Sequence, residues 1–167
     1  VTLVSSEASR ARVPVLDKLP YSSLSLPVFE GEAKSVKDFS GLPLLVYVWG
    51  SWDEKATDGL TRIAESMNTL GGVEVFPLSL DGPREDEATQ HFLEASGLRD
   101  RGGRVDRRTK VAIEVALFEL LGAYPDLPLP LGILFDPEGQ ISALYIGEVD
   151  PAHVRADSLA LIENQGR

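Results

Sequence analysis

The chain has no cysteine among its 167 residues, only two histidines and a single methionine. The first absence excludes disulfides, a thiolate nucleophile, and zinc or iron–sulfur centres held by cysteine. It does not fix a redox compartment, because oxidising and reducing settings both tolerate cysteine-free chains. Long hydrophobic runs are also missing. The longest strongly apolar stretch is Pro43–Trp49, far below the ~20 residues of a membrane-spanning helix. Positive charge is scarce: 16 Lys and Arg face 26 Asp and Glu, a formal charge of −10. Nucleic acid and anionic membranes are therefore not expected partners. No charged segment followed by an apolar run opens the chain, so no leader peptide is read there. It begins at Val1, and the expectation is a piece of a longer polypeptide.

What is present is ordinary globular composition, 43% hydrophobic and 25% charged, with enough length for one core. Residues 1–20 show no sustained period and carry Pro14 and Pro20. They are expected to be a linker or loosely docked arm, with a short strand at Arg12–Leu16. The domain then occupies residues 21–167. Ser23–Phe29 alternates but holds Pro27, which demotes it to an edge or irregular strand. Ser35–Phe39 reads as one short helical turn.

Leu44–Trp49, `LLVYVW`, is apolar on both faces and rich in branched and aromatic residues, the pattern of a central strand covered on both sides. The segment Trp52–Leu70 has an apolar stripe at helical spacing through Leu60, Ile63, Ala64, Met67 and Leu70. Ser51 and Glu54 have capping-box spacing, which starts this helix at Ser51, and Gly71-Gly72 ends it. Val73–Leu80 is a second buried strand. Helices are predicted over Glu85–Ser96 and Arg107–Ala123. Leu131–Phe135 and Ile141–Ile146 flank Asp136-Pro137-Glu138-Gly139 and form an antiparallel hairpin. Asp150 caps a last helix, Asp150–Glu163, with Pro151 at its first position. The order demands an α/β architecture: a mixed sheet with helices on both faces.

Three local motifs in that order resemble the thioredoxin-like fold, in its redoxin branch of peroxiredoxin-like and TlpA/ResA-like proteins. That family has an apolar strand running into W-A-x-W-C-x-x-C. Here the strand ends `VYVWGSWDEKA`, with Trp49 and Trp52 in the aromatic frame, Asp53 in place of the first cysteine and Ala56 in place of the second. The second motif is a proline loop followed by a strand and a D-x-x-G turn, matched by `LPLPLGILFDPEGQI`. The family usually has Thr or Ser after the proline, and Leu131 departs from it. The third is the opening `LSLPVFEGEAKSVKDFSGLPLLV`. The resemblance covers about residues 20–163 and implies a three-layer α/β/α sandwich closed by a β-hairpin and helix. It also implies a cis bond at Pro130, a backbone edge there that pairs with extended peptides, and an extracytoplasmic setting. The insert around Lys110–Leu121 is similar to redoxin domains attached to large multidomain bacterial proteins.

The family's reaction is excluded by element count, since neither thiol exchange nor peroxide reduction proceeds without a thiolate. The expectation is a non-catalytic binding or scaffolding module with no cofactor. Its partner is a protein or peptide segment, or a neighbouring domain. Asp53 is expected to cap its helix; a repurposed catalytic or ligating carboxylate near Pro130 is the alternative. Trp49 and Trp52 are either core plus a half-exposed lid, or walls of a peptide groove with Leu129, Pro130 and Leu131. His91 and His153 are too far apart in sequence to suggest a metal site, and no G-x-S-x-G elbow or phosphate loop occurs. The run Arg99–Lys110 holds six of the sixteen basic residues and is read as a solvated insert, with anion binding as the alternative. Asp81, Glu85, Asp86 and Glu87 lack calcium-loop spacing and are read as a loop leading into a helix.

Overall fold

The strand Leu44–Trp49 (β4) forms as its pattern requires, and every one of its six residues is buried. Its computed structural model describes the chain over residues 10–21, 23–98, 101–122 and 126–165. Val1–Ser9 of the expected arm, Arg99 and Asp100 of the basic run, and Ala123 at the expected helix end lie outside these residues.

Along the chain come β1 (Ala11–Pro20), β2 (Ser25–Leu26), β3 (Lys34–Ser35), β4, α1 (Glu54–Glu65), β5 (Glu74–Ser79) and α2 (Asp86–Ala95). Then follow β6 (Gly103–Arg104), α3 (Arg107–Leu121), β7 (Leu131–Phe135), β8 (Gln140–Ile146) and α4 (Pro151–Gln165). Six strands make one sheet in the order β1-β8-β7-β4-β5-β6, and β2 and β3 form a separate small hairpin. β4, β5 and β6 run parallel, whereas β4–β7, β7–β8 and β8–β1 are antiparallel. The sheet is mixed, as the element order demands.

Alternation along β4 divides the core. Leu44, Val46 and Val48 pack with Ile113, Ala116 and Leu117 of α3. Leu45, Tyr47 and Trp49 pack with Leu60 and Ile63 of α1, Leu93 of α2 and Val154 of α4. Fully burying a side chain of this size contributes about 1.5–3 kcal/mol, so the central strand holds both helical layers to the sheet. The result is the three-layer α/β/α sandwich.

Several boundaries differ from the sequence reading. The arm is not loose over residues 11–20: Ala11–Pro20 pairs with β8 as an edge strand, with a register shift between Pro14 and Leu19. Its prolines hide the alternation by which strands are recognised. The strand expected over Ser23–Phe29 shrinks to Ser25–Leu26. The first helix starts after Asp53 rather than Ser51 and gives way to a 3-10 turn at Met67–Thr69. The hairpin and the last helix form as expected, with the Ala152 N–H donating to Asp150 Oδ1 at 2.9 Å.

A glycine in mid-helix ordinarily costs about 0.5–1 kcal/mol relative to alanine. Gly59 of α1 is different, because a Cβ there would lie 2.5 Å from the Tyr47 hydroxyl. That hydroxyl is itself fixed, donating to the Ala56 carbonyl at 2.7 Å. Gly59→Ala is therefore expected to lower the unfolding free energy by about 1–3 kcal/mol. In a Tyr47→Phe background the same change should cost less, since the obstructing oxygen is gone. Urea denaturation midpoints decide it, and a stabilised Gly59→Ala single variant would contradict this packing.

Candidate functional site

The junction of β4 and α1 is where the family resemblance points. The chain turns there through Gly50–Asp53, with the Asp53 N–H donating to the Gly50 carbonyl at 3.1 Å. The Trp52 ring folds back over Gly50 so closely that a Cβ at residue 50 would lie 2.6 Å from it. A side chain at residue 50 would displace this exposed ring. Trp52 is 64% exposed and lines a cavity of about 690 Å³ with Leu80, Val105, Arg107, Lys110 and Leu127. Trp49 is only 1% exposed; its ring centroid lies 5.2 Å from that of Phe92, and its indole N–H has no partner among the described residues.

Asp53 caps α1. Its Oδ1 accepts from the Ala56 N–H at 2.9 Å, satisfying one of the free donors at the positive end of the helix dipole. Ala56 is fully buried. Thus the position where the resemblance implies a reactive thiol holds a carboxylate already bonded to its own helix. The position of the second thiol holds a methyl group with no access to solvent. A carboxylate cannot exchange with a disulfide, so the arrangement supplies no thiol chemistry.

Ser51 is not the cap because its hydroxyl is engaged elsewhere. It donates to Asp81 Oδ1 at 2.5 Å, and the Ser51 backbone N–H donates to Asp81 Oδ2 at 3.1 Å. The buried Asp81 carboxylate also accepts from the Ser79 hydroxyl at 2.6 Å. Asp81 is therefore not a plain loop residue. It ties the end of β5 to the turn that precedes α1, and the sequence reading missed it. The available signal was an acidic residue just past the C-terminal end of the second predicted buried strand.

The Leu129–Pro130 peptide bond is cis, as the resemblance implies. Leu131 begins β7, fully buried and paired with Val48 and Ile146. Leu129 is half-buried against both halves of the core. Pro130 lines a cavity of about 320 Å³ together with Lys55, Arg62 and Glu148. The five residues expected to wall a groove thus divide. Trp49 and Leu131 are buried in opposite halves of the core, Leu129 is half-buried, and Trp52 and Pro130 open on different cavities.

The basic run is better anchored than a solvated insert. Gly103–Arg104 forms β6 on β5. Arg104 pairs with Asp86 at 3.0 Å and Arg101 with Glu74 at 3.3 Å. Asp106 caps α3 by accepting from the Thr109 N–H at 2.7 Å. Gly103 packs against the Pro27 carbonyl so tightly that a Cβ would lie 1.9 Å from its oxygen. His91 lies on α2 and His153 on α4. No cluster of His, Asp or Glu among the described residues could hold a metal ion, and no helix among them is long and apolar enough to cross a membrane.

No family model matches the chain. Among curated proteins it is similar to the thiol-disulfide oxidoreductase ResA of Bacillus thuringiensis, with 27% identity over 121 residues covering 71% of this chain and 63% of the relative. The chain therefore spans somewhat under two thirds of the length of that relative. Among solved structures it resembles a secreted thiol-disulfide isomerase from Corynebacterium glutamicum, with a TM-score of 0.70 and 21% identity over 98% of each chain. A DsbF homologue from Corynebacterium diphtheriae superposes with a TM-score of 0.63 and 15% identity, covering 96% of this chain and 97% of that one. With its mixed sheet, its cis-proline loop and a capped α1 where thiols would stand, the chain has a thioredoxin-like fold without cysteine and is similar in sequence to thiol-disulfide oxidoreductases of the ResA type.

Proposed function

We propose that this chain is a non-catalytic binding module, which uses a thioredoxin-like frame to hold a protein or peptide segment or a neighbouring domain of the same polypeptide. The observation that carries it is the contact between Asp53 Oδ1 and the Ala56 N–H at 2.9 Å. It fills the helix end that a reactive thiolate would need, while Trp52 and Pro130 each line a surface cavity open to a partner. A larger bacterial extracytoplasmic protein is the proposed setting, supported by likeness to a protein described as secreted.

The experiment is a pair of assays on the purified protein, insulin reduction with dithiothreitol and peroxide consumption. Rates equal to those without protein are expected in both. A rate above that background in either assay overturns the reading. The alternative of a repurposed enzyme built on Asp53 has no observation in its favour, because that carboxylate is bonded to its own helix and lines neither cavity.

A further inference from the structure

We propose that the cavity beside Pro130 selects an extended acidic segment; this rests on the binding reading above and adds the chemistry of the partner. Three cations, Arg10, Lys55 and Arg62, line that cavity against two carboxylates, Asp58 and Glu148. In a chain with a formal charge of −10, a surface with a cationic surplus is a local reversal of sign. The surplus is not neutralised internally. Arg10 and Arg62 share the single Glu148 carboxylate, at 3.1 and 4.0 Å. Among the described residues Lys55 has no ion-pair partner.

The backbone beside the cavity offers hydrogen-bonding groups of its own. The Pro130 carbonyl already accepts from the Gly147 N–H at 2.9 Å. Leu129, immediately before it, makes no hydrogen bond through its N–H or C=O among the described residues. A half-buried residue with both main-chain groups free can pair with one residue of an incoming extended strand. Such pairing is blind to sequence, so side-chain selectivity falls to the charges that line the cavity at the next residue, Pro130. Carboxylates of the incoming segment meet Lys55, which is exposed, and Arg62, whose side chain presents 54% of its surface to solvent.

The test uses three fluorescein-labelled peptides with one frame, valine alternating with glutamate, glutamine or lysine, and reads binding by fluorescence anisotropy. The glutamate peptide is expected to bind best, about tenfold tighter than the lysine peptide, with the margin shrinking at high salt. In the double variant Lys55→Glu, Arg62→Glu the order should invert. Equal affinity for all three peptides would overturn the acidic selectivity and leave the binding reading standing. Preference for the lysine peptide, or an order unchanged by the double variant, would also overturn it. Absence of binding by any peptide would overturn both the selectivity and the peptide-binding reading on which it rests.

Discussion

Raising the pH from about 10 to about 11 is expected to lower the unfolding free energy by about 2 kcal/mol. Two fully buried phenols cause it. Burial is the main reason that the pKa of Tyr47 is raised well above its ordinary value. Burial likewise raises Tyr145, helped by its hydrogen bond to Asp157 Oδ2 at 2.6 Å. Both hydroxyls hold their protons in the folded state to higher pH than in the unfolded chain. Below about pH 10 both states are protonated and these groups impose no pH dependence. Above it the unfolded chain binds fewer protons, so the slope is negative and approaches about 1.4 kcal/mol per pH unit for each tyrosine. The loss continues until the folded phenols titrate. Urea denaturation at stepped alkaline pH measures the slope. Tyr47→Phe and Tyr145→Phe should each remove about half of it, whereas lysine titration remains common to all three proteins. Identical slopes in the parent and both variants would refute the assignment.

The two tryptophans of the shared aromatic frame are expected to behave oppositely. Trp49→Ala should cost about 3–5 kcal/mol, the range for removing a large aromatic from a packed core. Its ring is buried between β4 and α2, stacked at a tilt on Phe92. Trp52→Ala should change stability by no more than about 0.5 kcal/mol, because the ring is 64% exposed. Trp49→Phe should fall well below the alanine cost, because it retains an aromatic ring and removes an indole N–H that has no partner among the described residues. The same urea titrations give all three values. A Trp52→Ala loss as large as that of Trp49→Ala would mean that Trp52 is a core residue in solution.

Much of the architecture was legible because it rests on local chemistry. An unbroken apolar run marked β4, Asp150-Pro151 marked the start of α4, and Gly139 marked the hairpin turn. Asp53 as a cap was legible too, since aspartate competes well for that role wherever a helix begins. The choice between Asp53 and Ser51 was not, because both are good caps and the decision is made by Asp81, thirty residues along the chain from Ser51. The docking of the basic insert was equally hidden. It depends on β6 meeting β5 and on Gly103 meeting Pro27, and two-residue strands leave no periodic trace in sequence. Whether a tryptophan of the frame lies inside or outside was undecidable from type alone. Strand direction at β4 buries Trp49, while the turn at Gly50 swings Trp52 out.

The ends of the sheet have a consequence for how copies of this protein behave at high concentration. An exposed strand of regular geometry is a template on which another chain can add. Here one outer strand is β6, which is two residues long. The other is β1, whose ten residues include Pro14 and Pro20 and whose register breaks between Pro14 and Leu19. Two missing donors and a shifted ladder leave no long stretch that a second sheet could match. The features that disguised β1 as an unstructured arm thus also interrupt the edge on which another chain would add.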